Sequence, residues 1–246
     1  MAGGGTSGAY FALGDSISID EYAGGAGRGG ASLLARNRDD EFPGWRGRDL
    51  ATTRPDLGFR LLATDGGTTR TLLETQLPRL ATAGVAPEVV TLTVGGNDVL
   101  SAYGNTRAAL DVVADVRAAV DQALVRLRDR MQPGHPIVVG TVYDPSDGTG
   151  DTERAGLPPW PDVVAVLAEL NRALREVAGR HDALVADIHA RFLGHGLRRG
   201  HPGQGDARPA DRDLWYCHLI EPNTWGAHAV RAAFWDALHQ DHGSTR

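Results

Sequence analysis

The feature that most constrains this chain is a regular alternation between short apolar runs and stretches with helical periodicity. Residues 10–13, 59–63, 89–94, 137–142 and 183–188 read as five buried strands. Between and after them, apolar residues recur every three or four positions. Leu72, Leu73, Leu77 and Leu80 form one such stripe, and Val113, Val116, Val120, Leu124, Leu127 and Met131 a second. Val163, Val166, Leu167, Leu170, Leu174 and Val177 form a third, and Val230, Phe234 and Leu238 a fourth. Near-continuous apolar strands separated by amphipathic helices predict a parallel sheet covered by helices on both faces. No internal repeat or linker divides the 246 residues, and α/β folds of this length commonly form one unit, so a single domain over 1–246 is expected.

In such sheets ligands bind beyond the carboxyl ends of the strands, so the residues just after each strand carry most of the information about function. The first strand runs into Gly14-Asp15-Ser16-Ile17. A serine there suits either an exposed nucleophile or a helix N-cap. The second ends at Asp65-Gly66-Gly67, with Thr68 or Thr69 as cap of the next helix. The third ends at Gly95-Gly96-Asn97-Asp98, which as an isolated string is a turn. Asn97 also brings a neutral amide donor suited to an oxyanion. Asp15 and Asp98 are expected to shape these turns by accepting backbone N–H bonds. After the fourth strand, Trp160 is the tryptophan expected nearest a substrate; Trp45, Trp215, Trp225 and Trp235 are read as core or rim. Residues 21–31 are glycine-rich and read as a mobile loop. Gly25, Gly27 and Gly30 spell G-x-G-x-x-G, but without the strand–turn–helix context that a dinucleotide site needs.

Composition then narrows the chemistry. All 25 basic residues are arginine. Without lysine there is no Schiff base, no pyridoxal-phosphate attachment and no phosphate loop ending in GK[ST]. Any general base must come from the nine histidines, the carboxylates or Cys217. A formal charge of −6 argues against nucleic acid as a partner. The lone cysteine excludes an intrachain disulfide, and no stretch approaches the ~20 apolar residues of a membrane span. The first residues lack the pattern of an export signal, so a cytoplasmic protein is expected. Cys217, His218 and Glu221 offer no paired C-x-x-C or H-x-x-x-H, so neither metal nor cofactor is expected.

Taken together, the three strand ends resemble the characteristic blocks of the SGNH hydrolases, also called GDSL esterases and lipases. Gly14-Asp15-Ser16-Ile17 is similar to the first block, Asp65-Gly66-Gly67-Thr68-Thr69 to the second and Gly95-x-Asn97-Asp98 to the third. The resemblance covers nearly the whole chain. It implies a three-layer α/β/α sandwich with a flavodoxin-like five-stranded parallel sheet. It also implies ester hydrolysis through an acyl-enzyme on Ser16, with the N–H groups of Ser16 and Gly66 and the Asn97 amide holding the oxyanion.

The family's fourth landmark, D-x-x-H before Pro and often Asn, is altered. The segment reads Trp215-Tyr216-Cys217-His218-Leu219-Ile220-Glu221-Pro222-Asn223. Aligned on Pro-Asn, Glu221 falls in the histidine position and His218 in the aspartate position. Aligned on histidine, His218 is the base. The second alignment is preferred, because a free glutamate near pKa 4.3 is a poor base for serine whereas imidazole near 6.5 is a good one. Trp215-x-x-His218 is also similar to a minority variant in which a backbone carbonyl orients the histidine; Asp213, Asp211 and Glu221 remain candidate acids. His195 and His201 are rival bases from a loop, and His181, His228, His239 and His242 read as surface residues. Cys217 reads as a half-buried structural thiol. The expected protein is a serine esterase acting on short acyl or O-acetyl esters of a small-molecule, carbohydrate or lipid substrate. Lysophospholipase or thioesterase activity of the same family, a non-catalytic acyl- or sugar-binding role and a flavodoxin-like nucleotide binder are the alternatives.

Overall fold

Seven consecutive buried residues, Gly8–Gly14, form the strand β1 from which the rest of the sheet grows on both sides. The computed structural model describes residues 8–153, 156–197 and 212–240. In it β1 pairs in parallel with β2 (Leu57–Leu61) and β3 (Ala86–Thr93), and β4 (Ile137–Gly140) and β5 (Leu184–Ala186) extend the far edge. The strand order is β2-β1-β3-β4-β5, an α/β sheet flanked by helices as the sequence pattern requires. Tyr10 sits in register with Phe59 on one side and Val89 on the other, and Leu92 with Val139. A two-residue side-chain period makes both faces of β1 apolar in different company. Ala9, Phe11 and Leu13 pack in one core cluster, and Tyr10 and Ala12 in the other.

The helices in chain order are α1 (Gly30–Ala35), α2 (Leu50–Thr53), α3 (Thr69–Thr71), α4 (Leu77–Ala81), α5 (Gly96–Leu100), α6 (Thr106–Arg128), α7 (Val163–Arg180), α8 (Ile188–Phe192) and α9 (Thr224–His239). The expected stripes on α6 and α7 are buried against Phe11 and Leu13. Residues of α1, α8 and α9 cover the opposite face with Tyr10 and Ala12. Among the described residues no helix is long and apolar enough to cross a membrane.

Two strand ends stop for a reason that hydrophobicity alone cannot supply. The apolar run expected over 137–142 leaves the ladder after Gly140, because the buried Asn171 of α7 takes over the pairing. Its Oδ1 accepts from Val142 N–H at 2.7 Å and its Nδ2 donates to Val142 C=O at 2.8 Å. Gln76 does the same for β1. Its Oε1 accepts from Gly14 N–H and its Nε2 donates to Gly14 C=O, both at 2.7 Å. Gln76 lies at the end of a π-helical turn, Leu72–Gln76, that joins α3 to α4. Such insertions shift the register of a helix and often accompany functional sites.

The glycine-rich segment 21–31 is tied down where mobility was expected. A single 3₁₀ turn spans Glu21–Ala23, and the Asp20 carboxylate accepts the N–H groups of Gly27 at 2.9 Å and Gly29 at 2.7 Å. Gly30 opens α1 against α9, where a Cβ would lie 2.6 Å from Val230. These glycines permit turns and close packing well beyond the end of β1, which accounts for them without a bound dinucleotide.

Gln76→Leu keeps the volume and removes both hydrogen bonds to Gly14, along with a longer one to the Thr64 hydroxyl. The Gly14 carbonyl retains Thr64 N–H at 3.1 Å, whereas the Gly14 N–H is stranded in the interior. The expected cost is about 1–3 kcal/mol, read as a lower urea midpoint with an unchanged m-value.

Candidate active site

The position of Ser16 is set by Gly14. With φ at +119°, Gly14 turns the chain at a point where a Cβ would lie 1.7 Å from the Thr93 carbonyl oxygen, so no other residue fits. The next turn is held to β3 by Asp15 N–H donating to Thr93 Oγ1 at 3.4 Å and by the Ser18 and Thr93 hydroxyls at 3.0 Å. Asp15 Oδ1 accepts from Ile17 N–H at 3.2 Å, the turn-shaping role expected of it. Ser16 itself is only 7% exposed.

The ends of β2 and β3 are fastened to the same turn. Gly67 packs so closely that a Cβ would meet the Gly14 carbonyl oxygen at 2.4 Å. Asn97 Nδ2 donates one hydrogen bond to the Gly67 carbonyl at 3.0 Å, and an amide nitrogen carries a second hydrogen. The Asp98 carboxylate accepts from Thr69 N–H at 3.1 Å and from Thr69 Oγ1 at 2.6 Å, so it joins β3 to the start of α3. Gly66 has a φ of +64°, with open space where a side chain would project. Thr68 is the cap of α3, its hydroxyl accepting from Thr71 N–H.

Ser16 and Asn97 line one cavity of about 690 Å³, its open mouth included, whose walls are mostly apolar: Val99, Leu100, Val142, Leu157, Val163, Leu167 and Ile220. Trp160 is part of that wall, as its place in the sequence suggested. It is 4% exposed, donates Nε1–H to Thr106 Oγ1 at 3.0 Å and meets the Tyr103 ring edge-on at 5.1 Å. Beside it, the Asp144 carboxylate accepts from Ser146 N–H and Gly148 N–H at 2.8 and 2.9 Å and fixes the loop after β4.

The C-terminal landmark folds as a hairpin. Two short strands, β6 (Tyr216–Cys217) and β7 (Glu221–Pro222), form an antiparallel hairpin with Cys217 opposite Glu221. Residues 218–220 are its tip. His218 and Leu219 both take left-handed backbone angles, φ +40° and +73°, and both are exposed. The His218 ring lies 5.7 Å from that of Tyr22. The side chain set against the Ser16 hydroxyl is that of Glu221. Its Oε2 is buried without a partner.

One proposed orienter of His218, the Trp215 carbonyl, already holds a hydrogen bond. It accepts Asn223 N–H at 3.0 Å, and the Asp213 carbonyl lies 3.0 Å from His195 Nδ1. His195 stacks on Trp215 with ring centroids 3.6 Å apart. His201, Asp211 and His242 lie outside the described residues. Cys217 is fully rather than half buried, with Sγ donating toward the Tyr22 carbonyl at 3.4 Å. His228 is not a surface residue. It stacks on Phe42 with ring centroids 4.6 Å apart and faces the fully buried Arg231, and burial together with the Arg231 charge pushes its pKa down to about 3.

Burial raises two carboxyls to near neutrality. Glu221 is pushed up to about 7, chiefly by desolvation and further by the negative charge of Asp65, while the Ser16 hydroxyl acts in the opposite direction. Asp15 is also pushed up to about 7 by burial. The folded state therefore favours protonated Glu221. Its contribution to stability is complete below the ordinary carboxyl value of 4.5 and is lost as pH rises through about 7. Glu221→Gln escapes that loss. The melting temperature of the variant minus that of the wild type is expected to grow between pH 5 and pH 8, by an amount equivalent to about 1–3 kcal/mol. Melting curves across that range check it.

The model of the GDSL-like lipase/acylhydrolase family matches residues 12–228. No curated protein sequence matches the chain. Among solved structures, it is similar to phospholipase A1 from Streptomyces albidoflavus NA297, at 21% identity and a TM-score of 0.58, over 94% of this chain and 99% of that one. A catalytic mutant of an acetylxylan esterase from Geobacillus stearothermophilus aligns at 18% identity and a TM-score of 0.61, over 96% and 95% of the two chains. An extracellular lipase from Streptomyces rimosus aligns at 21% identity and 0.58, over 94% and 99%. At these identities the structural likeness speaks to the fold.

Proposed function

The chain belongs to the GDSL-like lipase/acylhydrolase family and is an ester-bond hydrolase, and we propose that it works through an acyl-enzyme on Ser16, using carboxylic esters whose acyl group enters the apolar cavity. The observation that carries this reading is the shared cavity: Ser16 and Asn97 open onto one apolar-walled space that Trp160 helps to enclose. The serine oxygen attacks the ester carbonyl. The oxyanion then accepts hydrogen bonds from the N–H groups of Ser16 and Gly66 and from the Asn97 amide. The Asn97 bond to Gly67 supports this role, since it fixes the amide plane and leaves one N–H to donate. Preorganised donors of this kind cost no reorganisation as charge develops.

The walls also bear on the substrate. Val99, Leu100, Val142 and Leu167 offer nothing to a sugar hydroxyl and much to an alkyl chain. Each methylene buried there is worth about 0.8 kcal/mol, roughly fourfold in kcat/KM. Activity on p-nitrophenyl esters is therefore expected to rise from acetyl through butyryl to hexanoyl. A maximum at acetyl would restore the O-acetyl ester reading, and a rise continuing to decanoyl would favour a lysophospholipid or thioester substrate.

Ser16→Ala should abolish hydrolysis of p-nitrophenyl butyrate by folded protein, and Asn97→Ala should lower turnover by roughly 10²–10³. Full activity in Ser16→Ala would refute the acyl-enzyme.

A further inference from the structure

We propose that Glu221 is the general base and acid of this enzyme, taking the proton of Ser16 directly, in the place where the family's motif has histidine. The proposal rests on the acyl-enzyme reading of Ser16. Three observations carry it. The Glu221 carboxyl lies beside the Ser16 hydroxyl. The hairpin turns His218 out to an exposed tip at left-handed backbone angles, whereas Glu221 returns on the paired strand β7. Glu221 Oε2 is buried without a partner, beside a nucleophile.

The position of Glu221 is fixed by its neighbours on both sides. Tyr143 Oη donates to the Ile220 carbonyl at 2.7 Å. Asn223 is fully buried, donates Nδ2 to the Leu214 carbonyl at 2.7 Å, and accepts from Trp225 N–H and Gly226 N–H to cap α9. The carboxylate therefore has little freedom to leave Ser16. A purely architectural carboxylate would be expected to fill both oxygens, because a buried acceptor left unpaired forfeits its hydration. An oxygen left unpaired beside the nucleophile is instead available to a proton.

The steps balance on these groups alone. As Ser16 Oγ bonds to the ester carbonyl carbon, its proton passes to the Glu221 carboxylate and the carbonyl π pair moves onto oxygen as the oxyanion. When the oxyanion collapses, the bond to the alcohol oxygen breaks and the Glu221 carboxyl returns its proton to that oxygen. This leaves acyl-Ser16 and free alcohol. Water then gives a proton to Glu221 and adds to the acyl carbon. Collapse breaks the carbon–Oγ bond, the proton returns to Ser16, and the carboxylic acid leaves. A base is most effective when its pKa lies near the working pH, and desolvation supplies that adjustment here: the carboxyl sits at about 7 where a free glutamate would not. Asp15 from the end of β1, Asp65 after β2, Tyr22 and Tyr143 face Glu221, and His218 sits at the tip of its own hairpin.

The test uses the full chain with p-nitrophenyl butyrate, and tracks Ser16 with a fluorophosphonate probe. Glu221→Gln keeps the shape and a hydrogen-bonding group, and melting curves establish that it folds. The expected result is a 10²–10⁴-fold fall in kcat/KM, and loss of the acid limb that the wild-type pH profile shows near pH 7. Asp15→Asn should keep that limb, which assigns it to Glu221. A merely structural Glu221 would lower activity without removing the limb, and that result overturns the proposal. So does a collapse in His218→Gln with Glu221→Gln still active, which would leave the acyl-enzyme intact and return the base to histidine. Wild-type protein inert to every ester and unlabelled at Ser16 would overturn the acyl-enzyme reading and this proposal together.

Discussion

The pairing of a side-chain amide with a single backbone residue at the end of a strand is the interaction on which the rest of the site depends. Gln76 takes both hydrogen-bonding groups of Gly14, and Asn171 takes both of Val142. A strand that ends inside a protein leaves polar groups that must be satisfied somewhere. By ending β1 and β4 on amides carried by helices, the fold lets the chain leave the ladder sharply without stranding those groups. Beyond Gly14 the chain runs directly into Asp15-Ser16, and beyond Val142 it runs into the wall of the cavity that Ser16 faces. Ser16 and the cavity wall after Val142 are thus positioned by the same device.

Close backbone approach does the remaining work. Gly14 against Thr93 and Gly67 against Gly14 bring the ends of β1, β2 and β3 nearer than any side chain would allow. The polar groups at those ends then fasten to one another: Asn97 to Gly67, Asp98 to Thr69, Asp15 to Ile17. Strand ends fastened in this way hold Ser16, Gly66 and Asn97 in a fixed arrangement. Burial removes water from Asp15 and Glu221 and raises both carboxyls.

Much of this was legible in the chain. The apolar runs located all five sheet strands to within a few residues, and Gly14-Asp15-Ser16, Gly66 and Asn97 were singled out because each lies at the end of a strand or just beyond it. Trp160 was placed at the cavity from its loop alone. Gln76 was missed because it sits within a leucine stripe that predicts an uninterrupted α-helix, and only the π turn aims it at Gly14. His228 looked like a surface histidine because nothing near it in sequence announces Phe42 or Trp45, which pack on it from a distant segment. The segment 21–31 looked mobile because glycine content reports local freedom and not the Asp20 carboxylate that removes it.

The choice between His218 and Glu221 marks the boundary between the two kinds of information. By itself the sequence determined the parallel α/β sheet, the loops that carry the site and, through the absence of lysine, the residue types from which a base can come. These properties are local: periodicity, turn chemistry and composition act over a few neighbouring residues. Which of two residues three positions apart lies beside Ser16 depends on where a hairpin turns, and where a glutamate titrates depends on how much water it has lost. Register and desolvation are set by segments far apart in the chain, so only the tertiary structure decided them.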